Sequence, residues 1–286
     1  MGISAGRFRR HVDEWSSQFV NYRRVWPNYL FRHEPLENAL AILARGSLLS
    51  RMHAERENVV VNDIAPQDII DNRGDAHACA RLYFRPRAPT QYRVEGIRKP
   101  KDYYQEKHAG FLVMLALDAE AILTNPETQF SDGNMQSHAS EVYDDDGFDE
   151  LQFSGIYHDQ ANPSRDQIRQ RCAEVLATSP LLLEHTLKHI IVRTDADVQT
   201  LYCRLDDLGL GYLSDKVRRS QGTGVFFNEY TALEFIDSEP GRITFRVKES
   251  RSGTNVDIRM RVLDVEGGNG KNTFRHKHRK FEEVLL

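Results

Sequence analysis

The stretch RCAEVLATSP (171–180) sets one carboxylate, Glu174, between Ala173 and the apolar pair Val175 and Leu176. A half-buried strand alternates apolar and polar side chains, so this glutamate reads in two ways. It is the solvent-facing member of a short strand, or it is an acid held at a sheet edge to do chemistry. EVLA (174–177) and the following HIIVRT (189–194) both have strand character. Upstream, FLVMLALD (111–118) is a continuous apolar run, which predicts a central strand buried on both faces.

Working outward, YLFRH (29–33) predicts a short strand that places His33 at a strand-to-helix junction. Pro35 suits the first turn of the next helix, whose apolar face is Leu36, Ala39, Leu40, Ile42 and Leu43 and whose stop is Gly46. Backbone N–H groups converge at such junctions and suit ligands. RLYFRPRAPTQY (81–92) begins as a strand and breaks at Pro86 and Pro89. Helices are expected over 7–24 and 163–171, and SDGN (131–134) is a turn. Strands and helices alternate without a regular βαβ rhythm, which points to an α+β fold.

From about residue 222 the chain becomes β-rich, with GVFFNEY, TALEFID, RITFRVKES and VDIRMRVLDV separated by turn residues. A boundary is expected near 209–222. This gives a basic helical segment at 1–28, a main domain at 29–210 and a small β-rich C-terminal domain at 222–286.

At 286 residues, 40% of them hydrophobic and 28% charged, the chain has ample material for a core. No apolar run reaches the length of a membrane span. MGISAGRFRRHVDEW (1–15) has no apolar segment after its arginines, so no secretory leader is expected, and Gly6 stands where a myristoylation motif has Ser or Thr. The cysteines, Cys79, Cys172 and Cys203, are scattered singly, which fits reduced thiols and a cytoplasmic location.

The net charge of −4 is unevenly spread. Residues 211–286 carry 14 Lys/Arg against 11 Asp/Glu; of the totals 38 and 42, this leaves 24 against 31 for residues 1–210. Between a basic head and a basic tail lies EVYDDDGFDE (141–150), with six acids in ten positions. Basic ends suit nucleic acid, and solvated surface charge accounts for them equally well.

Familiar site signals are absent: there is no GxxxxGK[ST] loop and no GxGxxG after a strand. EHTLKH (184–189) spaces His185 and His189 four apart, but Glu184 precedes the first histidine where a zincin needs its acid to follow, so no metal site is expected. FRHKHRK (274–280) is a solvated tail or a phosphate-binding patch with Phe274 for stacking.

Four pieces in order rise above this background: FRHEPLENALAILARGSLLSR (31–51), RLYFRPRAPTQY (81–92), FSDGNMQSHASEVY (130–143) and RQRCAEVL (169–176) followed by HIIVRT. Together they resemble the DarT family, NAD-dependent ADP-ribosyltransferase toxins that modify bases in nucleic acid. The family has a histidine on its first strand before an N-L-x-x-I-L-x-x-G-L helix. It continues with F-Y-F-x-P-R-x-P, then F-T-D-G-N-A-x-S, then a strand bearing A-E-V-L. The counterparts here are His33 with Asn38 to Leu48, Leu82 to Pro89, Phe130 to Ser137, and Ala173 to Leu176. The resemblance spans about residues 29–195. His33-Glu34-Pro35 stands where family members often have His-x-Thr.

The resemblance implies an ADP-ribosyltransferase-like split β-sheet with flanking helices, and NAD as co-substrate. It makes Glu174 the catalytic acid, stabilising the positive charge that develops on the ribose as the nicotinamide bond breaks. It brings His33, Asn38, Leu48, Tyr83, Phe84, Arg87 and Tyr92 toward the cofactor. It calls for an arginine before the F-Y-F strand, for which Arg73 is the first choice and Arg51 the second. The loop 131–173 becomes the target-recognition segment, with Asn134, Tyr143, Phe148 and Phe153 facing a splayed base. The implied target is single-stranded DNA, by the family's precedent thymine, or single-stranded RNA. The implied setting is a toxin–antitoxin or anti-phage system with an antitoxin partner. A silent NAD- or nucleic-acid-binding module and a transferase acting on protein are the alternatives.

Overall fold

FLVMLALD lies at the centre of the main sheet, because an uninterrupted apolar run needs cover on both faces. The computed structural model describes residues 2–57, 78–97, 108–135, 140–220, 224–227, 231–239, 242–248, 257–261, 273–277 and 282–285. Its strands are β1 (Tyr29–Pro35), β2 (Ser47–Leu48), β3 (Ala80–Tyr83), β4 (Leu112–Asp118), β5 (Gln129–Ser131), β6 (Val142–Tyr143), β7 (Glu174–Ala177), β8 (Leu181–Leu182), β9 (Leu187–Val192) and β10 (Val217–Arg219). Eight of them form one sheet in the order β10-β9-β4-β1-β3-β7-β5-β6. In β4, every side chain from Leu112 to Leu117 is buried.

The sheet is two half-sheets joined at a point. β1 pairs with β4 along its full length, from Tyr29 opposite Asp118 to Pro35 opposite Leu112. β3 pairs with β7 from Ala80 opposite Ala177 to Tyr83 opposite Glu174. Between β1 and β3 the register holds at one pair, Phe31 opposite Tyr83, and the strands then part. This is the split sheet that the resemblance implies, in an α+β chain.

Helix boundaries moved where extended backbone intervenes. The first helix, α1, is Ala5–Gln18, with Ser4 as its N-cap, and it stops before extended Phe19. A 3₁₀ turn, Asn21–Asn28, takes up the rest of the expected 7–24 helix. Pro35 caps α2 (Leu36–Arg45) from outside with extended ψ, and Gly46 at φ 74° ends it in the left-handed region that glycine adopts without strain. α3 follows as Arg51–Arg56, capped by Ser50.

Val217–Arg219 add parallel to β9, and Val225 and Phe226 are buried in the main core, so the body continues past residue 222. The glycines around 221–224 read as a linker, but the apolar residues after them have a core to enter. Beyond, Ala232–Glu239, Arg242–Lys248 and Glu282–Leu285 form a three-stranded sheet, and Asp257–Arg261 pairs with Thr273–Lys277. The rest of FRHKHRK lies outside the described residues. Among the described residues, no helix is long and apolar enough to cross a membrane, and no cluster of metal-ligating side chains is present.

On one side of the sheet, Phe84, Phe130, Phe148 and Phe153 pack ring against ring with His11 from α1 and with Tyr157. Beside them Arg85 is buried, 1% exposed. It donates to the carbonyls of Pro86, Ile156 and His158, pairs with Asp159 at 2.8 Å, and lies 5.2 Å from the Trp26 ring. The FRPR segment is therefore a buried tie between β3 and the loop before Glu174.

Arg85→Ala leaves those carbonyls and Asp159 without their buried cation. The expected loss is about 3–5 kcal/mol in urea unfolding followed by Trp26 fluorescence; a change below about 1 kcal/mol would refute this tie.

Two buried histidines set a pH dependence. Burial lowers His11 to about 4, against a smaller pull from Asp149, and lowers His33 to about 3, with Arg32 adding to the effect. The unfolded chain takes up protons below about 6.5 that the folded chain refuses. Stability is therefore full above pH 6.5 and falls toward pH 4 by up to roughly 1.4 kcal/mol per pH unit for each histidine. His11→Asn should flatten that slope in a denaturation series; an unchanged slope would show that His11 does not contribute.

Candidate active site

Glu174 is not solvent-facing: it is 2% exposed, at the start of β7 and opposite Tyr83. Its Oε2 accepts the Met135 N–H at 2.9 Å and lies 3.9 Å from Nη1 of Arg81. Its own N–H donates to Ser131 Oγ at 3.1 Å, and that hydroxyl donates to the Gly133 carbonyl at 2.6 Å. The SDGN turn and the AEVL strand, 39 residues apart at Met135 and Glu174, thus meet at one carboxylate. Gly133 is needed there, since a Cβ would sit 2.6 Å from Ser140 Oγ and 2.9 Å from Arg169 Cγ. A buried carboxylate requires such donors, because the charge has lost its water.

Where β1 and β3 part, the His33 and Tyr83 rings stack at 5.4 Å and 18°. Thr90 Oγ1 donates to the Tyr83 hydroxyl at 3.0 Å. Burial, reinforced by the Glu174 charge, holds the Tyr83 phenol far above its usual range and pushes the Cys172 thiol up to about 12. His33, lowered to about 3, is a neutral imidazole at physiological pH. Neutral rings and a neutral thiol therefore surround the Glu174 carboxyl group.

Arg32 reaches into the split. Its Nη1 donates to the Arg81 carbonyl at 3.2 Å, and its Nε donates to Glu34 Oε1 at 2.6 Å. Asn38 Nδ2 donates to the other Glu34 oxygen at 3.1 Å. Burial opposes the Arg32 charge, but Glu34, Tyr83 and Glu174 outweigh it and raise its pKa. Arg32, Glu34 and Asn38 line an open cleft of about 70 Å³ that continues to Ile42, Arg45, Ser47 and Leu48.

The cleft wall is tied to the strand bearing Glu174. Leu48 pairs with Leu181, Ser50 N–H donates to Ser179 Oγ at 2.7 Å, and His53 Nδ1 lies 2.8 Å from the same hydroxyl.

Of the residues expected from sequence, the structure gathers His33, Tyr83 and Glu174 at the split, and Asn38 and Leu48 at the adjoining cleft. Arg51 opens α3 beside the cleft and pairs with Glu55 at 3.1 Å. Arg73 lies outside the described residues. Phe84 alternates with Tyr83 and points into the aromatic core, 1% exposed. Phe148 and Phe153 are buried in the same core. Arg87 has φ 58°, pairs with Asp159 at 2.6 Å and lies 5.6 Å from the Phe227 ring. Tyr92 packs edge-on against the same Phe227. Asn134 and Tyr143 are partly exposed on the loop, and the Tyr143 hydroxyl donates to Glu141 at 2.9 Å.

Sequence reasoning missed Arg32, Arg81, Ser131 and the Met135 N–H. A signal for Arg32 existed in FRHE, where strand alternation sets Arg32 and Glu34 on one face, flanking His33. Nothing in the sequence marks a backbone N–H. Chemically, the arrangement offers a fixed negative charge beside flat neutral rings, next to a cleft with guanidinium, amide and hydroxyl groups.

Comparison with curated proteins gives no match. Among solved structures, Thermosipho africanus DarTG in complex with ADP-ribose is 19% identical with a TM-score of 0.53, over 74% of this chain and 53% of that one. Thermus sp. 2.9 DarT in complex with ADP-ribosylated ssDNA is 15% identical with a TM-score of 0.49, over 68% of this chain and 91% of that one. The same Thermus protein in complex with NAD+ has 15% identity and a TM-score of 0.48, over 64% and 90% of the two chains. The family profile for DarT, the ssDNA thymidine ADP-ribosyltransferase, matches residues 31–227, well over half of the sequence and the split sheet from the third residue of β1 through β10. The chain belongs to the DarT family of NAD-dependent ADP-ribosyltransferases.

Proposed function

We propose that this chain transfers ADP-ribose from NAD to a thymine base in single-stranded DNA, with Glu174 as the catalytic carboxylate. The observation that carries this reading is the buried Glu174 carboxylate, held by the Met135 N–H opposite Tyr83 where the sheet splits. The ribose–nicotinamide bond breaks with its electron pair leaving on the nicotinamide. A ring nitrogen of the base supplies the electron pair of the new bond, and its proton goes to Glu174. Positive charge builds on the ribose in between, and a fixed carboxylate in a dry site stabilises it far more than one in water does.

The cleft fits the co-substrate by its chemistry. Arg32 and Arg45 suit phosphate oxygens, Asn38 and Ser47 suit ribose hydroxyls, and Ile42 and Leu48 suit a flat ring. The stacked His33 and Tyr83 flank the reacting end, and a neutral His33 adds no positive charge against the one that develops. Arg51 is close enough to assist at the phosphates, and Arg73 remains the candidate that the resemblance favours. The loop between β5 and β7 faces the target, with Tyr143 as the stacking surface and Asn134 beside it. Arg87 and Tyr92, bound to Asp159 and Phe227, support the wall rather than the cofactor. An activity of this kind against the cell's own DNA calls for a neutralising partner, as in a toxin–antitoxin pair.

Glu174→Gln keeps an acceptor for the Met135 N–H and removes the charge. Its kcat for transfer should fall roughly 10²–10³-fold, with NAD affinity and melting temperature nearly unchanged. Transfer at near wild-type rate would sink the assignment.

The target is tested by incubating the protein with NAD labelled in its ADP-ribose part. Thymine-containing single-stranded DNA, the same DNA lacking thymine, RNA and total protein are offered separately. Label is expected on the first alone. Label on RNA or on protein instead would replace the target while keeping the transferase.

A further inference from the structure

Residues 5–24 precede the stretch that the family profile matches, yet they grip the loop leading to the candidate acid. Phe8, His11, Trp15 and Phe19 recur at helical spacing along the inner face of α1 and beyond its end. His11 meets the Phe148 and Phe153 rings edge-on at 5.3 and 4.3 Å, and its Nε2 lies 3.1 Å from the Tyr157 hydroxyl. On the neighbouring face, Arg7 enters the turn Asp146–Glu150. Its guanidinium donates to the carbonyls of Asp145 and Asp146, pairs with Asp149 at 2.6 Å and lies 5.7 Å from the Phe148 ring. Arg23 donates to the Tyr157 carbonyl further along the same loop.

The turn so held is the floor under Tyr143. A Cβ placed on Gly147 would lie 2.6 Å from Cδ1 and 2.9 Å from Cβ of Tyr143, so the bare glycine backbone packs against that side chain. Arg7 therefore touches Tyr143 only through the turn, yet fixes the height of the ring's support. It also sets a cation inside the acidic run 141–150, where unbalanced carboxylates would repel phosphate.

We propose that the N-terminal helix is a brace for target recognition, with Arg7 a positioning residue that seats Tyr143 for the nucleic acid and plays no part in NAD binding. This rests on the reading of the 141–157 loop as target-facing.

The test uses the full chain and whichever nucleic acid the wild type labels. Arg7→Ala should raise KM for the oligonucleotide about tenfold, with kcat within about twofold and NAD affinity unchanged. Arg7→Lys, which keeps the charge but loses the fork, should fall between. Hydrogen exchange in 144–152 should quicken in Arg7→Ala and not in β7. Asp149→Asn alters an exposed carboxylate, so it folds even if Arg7→Ala does not; it loosens the same turn and should quicken hydrogen exchange in 144–152 by a smaller factor. An unchanged KM in Arg7→Ala, or unchanged exchange in 144–152 in both variants, would overturn the brace while leaving the transferase reading intact. So would losses in kcat and NAD affinity that track a lowered melting temperature, since they describe a structural residue. A wild-type chain that labels no nucleic acid removes the target reading and the brace together.

Discussion

Among the described residues, one backbone pairing, Phe31 opposite Tyr83, joins the two half-sheets side by side. Beyond it the strands separate, and Arg32 and Glu34 of β1 line the cleft beside the gap. His33 and Tyr83 stack across the gap, Arg32 fills it by donating to a carbonyl of the diverging strand, and Glu174 sits one strand further on. Had β1 and β3 zipped fully, the Arg81 carbonyl would be committed to a ladder bond and the site would close. The split is thus the constraint on which the pocket, the exposed edge chemistry and the placement of the acid all depend.

A second constraint is the cost of burying a carboxylate. Glu174 is almost wholly removed from water, and its neighbours are neutral because burial keeps Tyr83 and Cys172 protonated and His33 unprotonated. The Met135 N–H and the more distant Arg81 supply the compensation. That arrangement holds the carboxylate by one backbone N–H and a distant guanidinium rather than by a close ion pair. The same low-dielectric logic explains why Arg85, on the opposite side of the sheet, is wrapped in carbonyls and paired with Asp159.

The loop before Glu174 is held from both flanks. Arg85 ties it to β3, while Arg7, His11 and Arg23 tie it to the N-terminal segment. Ordered, it carries Met135 to the Glu174 carboxylate and Tyr143 to the surface. Several of its carboxylates are spent on internal contacts: Asp149 of the acidic run on Arg7, and, outside that run, Asp132 on Arg169 and Asp159 on two arginines.

The sequence by itself determined the elements whose signal is local. The unbroken FLVMLALD run specified a doubly covered strand, the Leu and Ala spacing ending at Gly46 specified α2, and the ordered DarT-like motifs specified the family. Only the tertiary structure decided what depends on contacts distant in sequence. Whether Phe84, Phe148 and Phe153 face a ligand or a core turns on where β3, β5 and the loop before Glu174 meet, and they meet with their rings inward. Whether Arg87 serves the cofactor or the wall depends on Asp159, 72 residues away. Whether the chain's body stops at 222 depends on a core open to Val225 and Phe226. The backbone N–H that holds Glu174 has no letter in the sequence, because every residue but proline carries one and only the fold says which of them points at the acid.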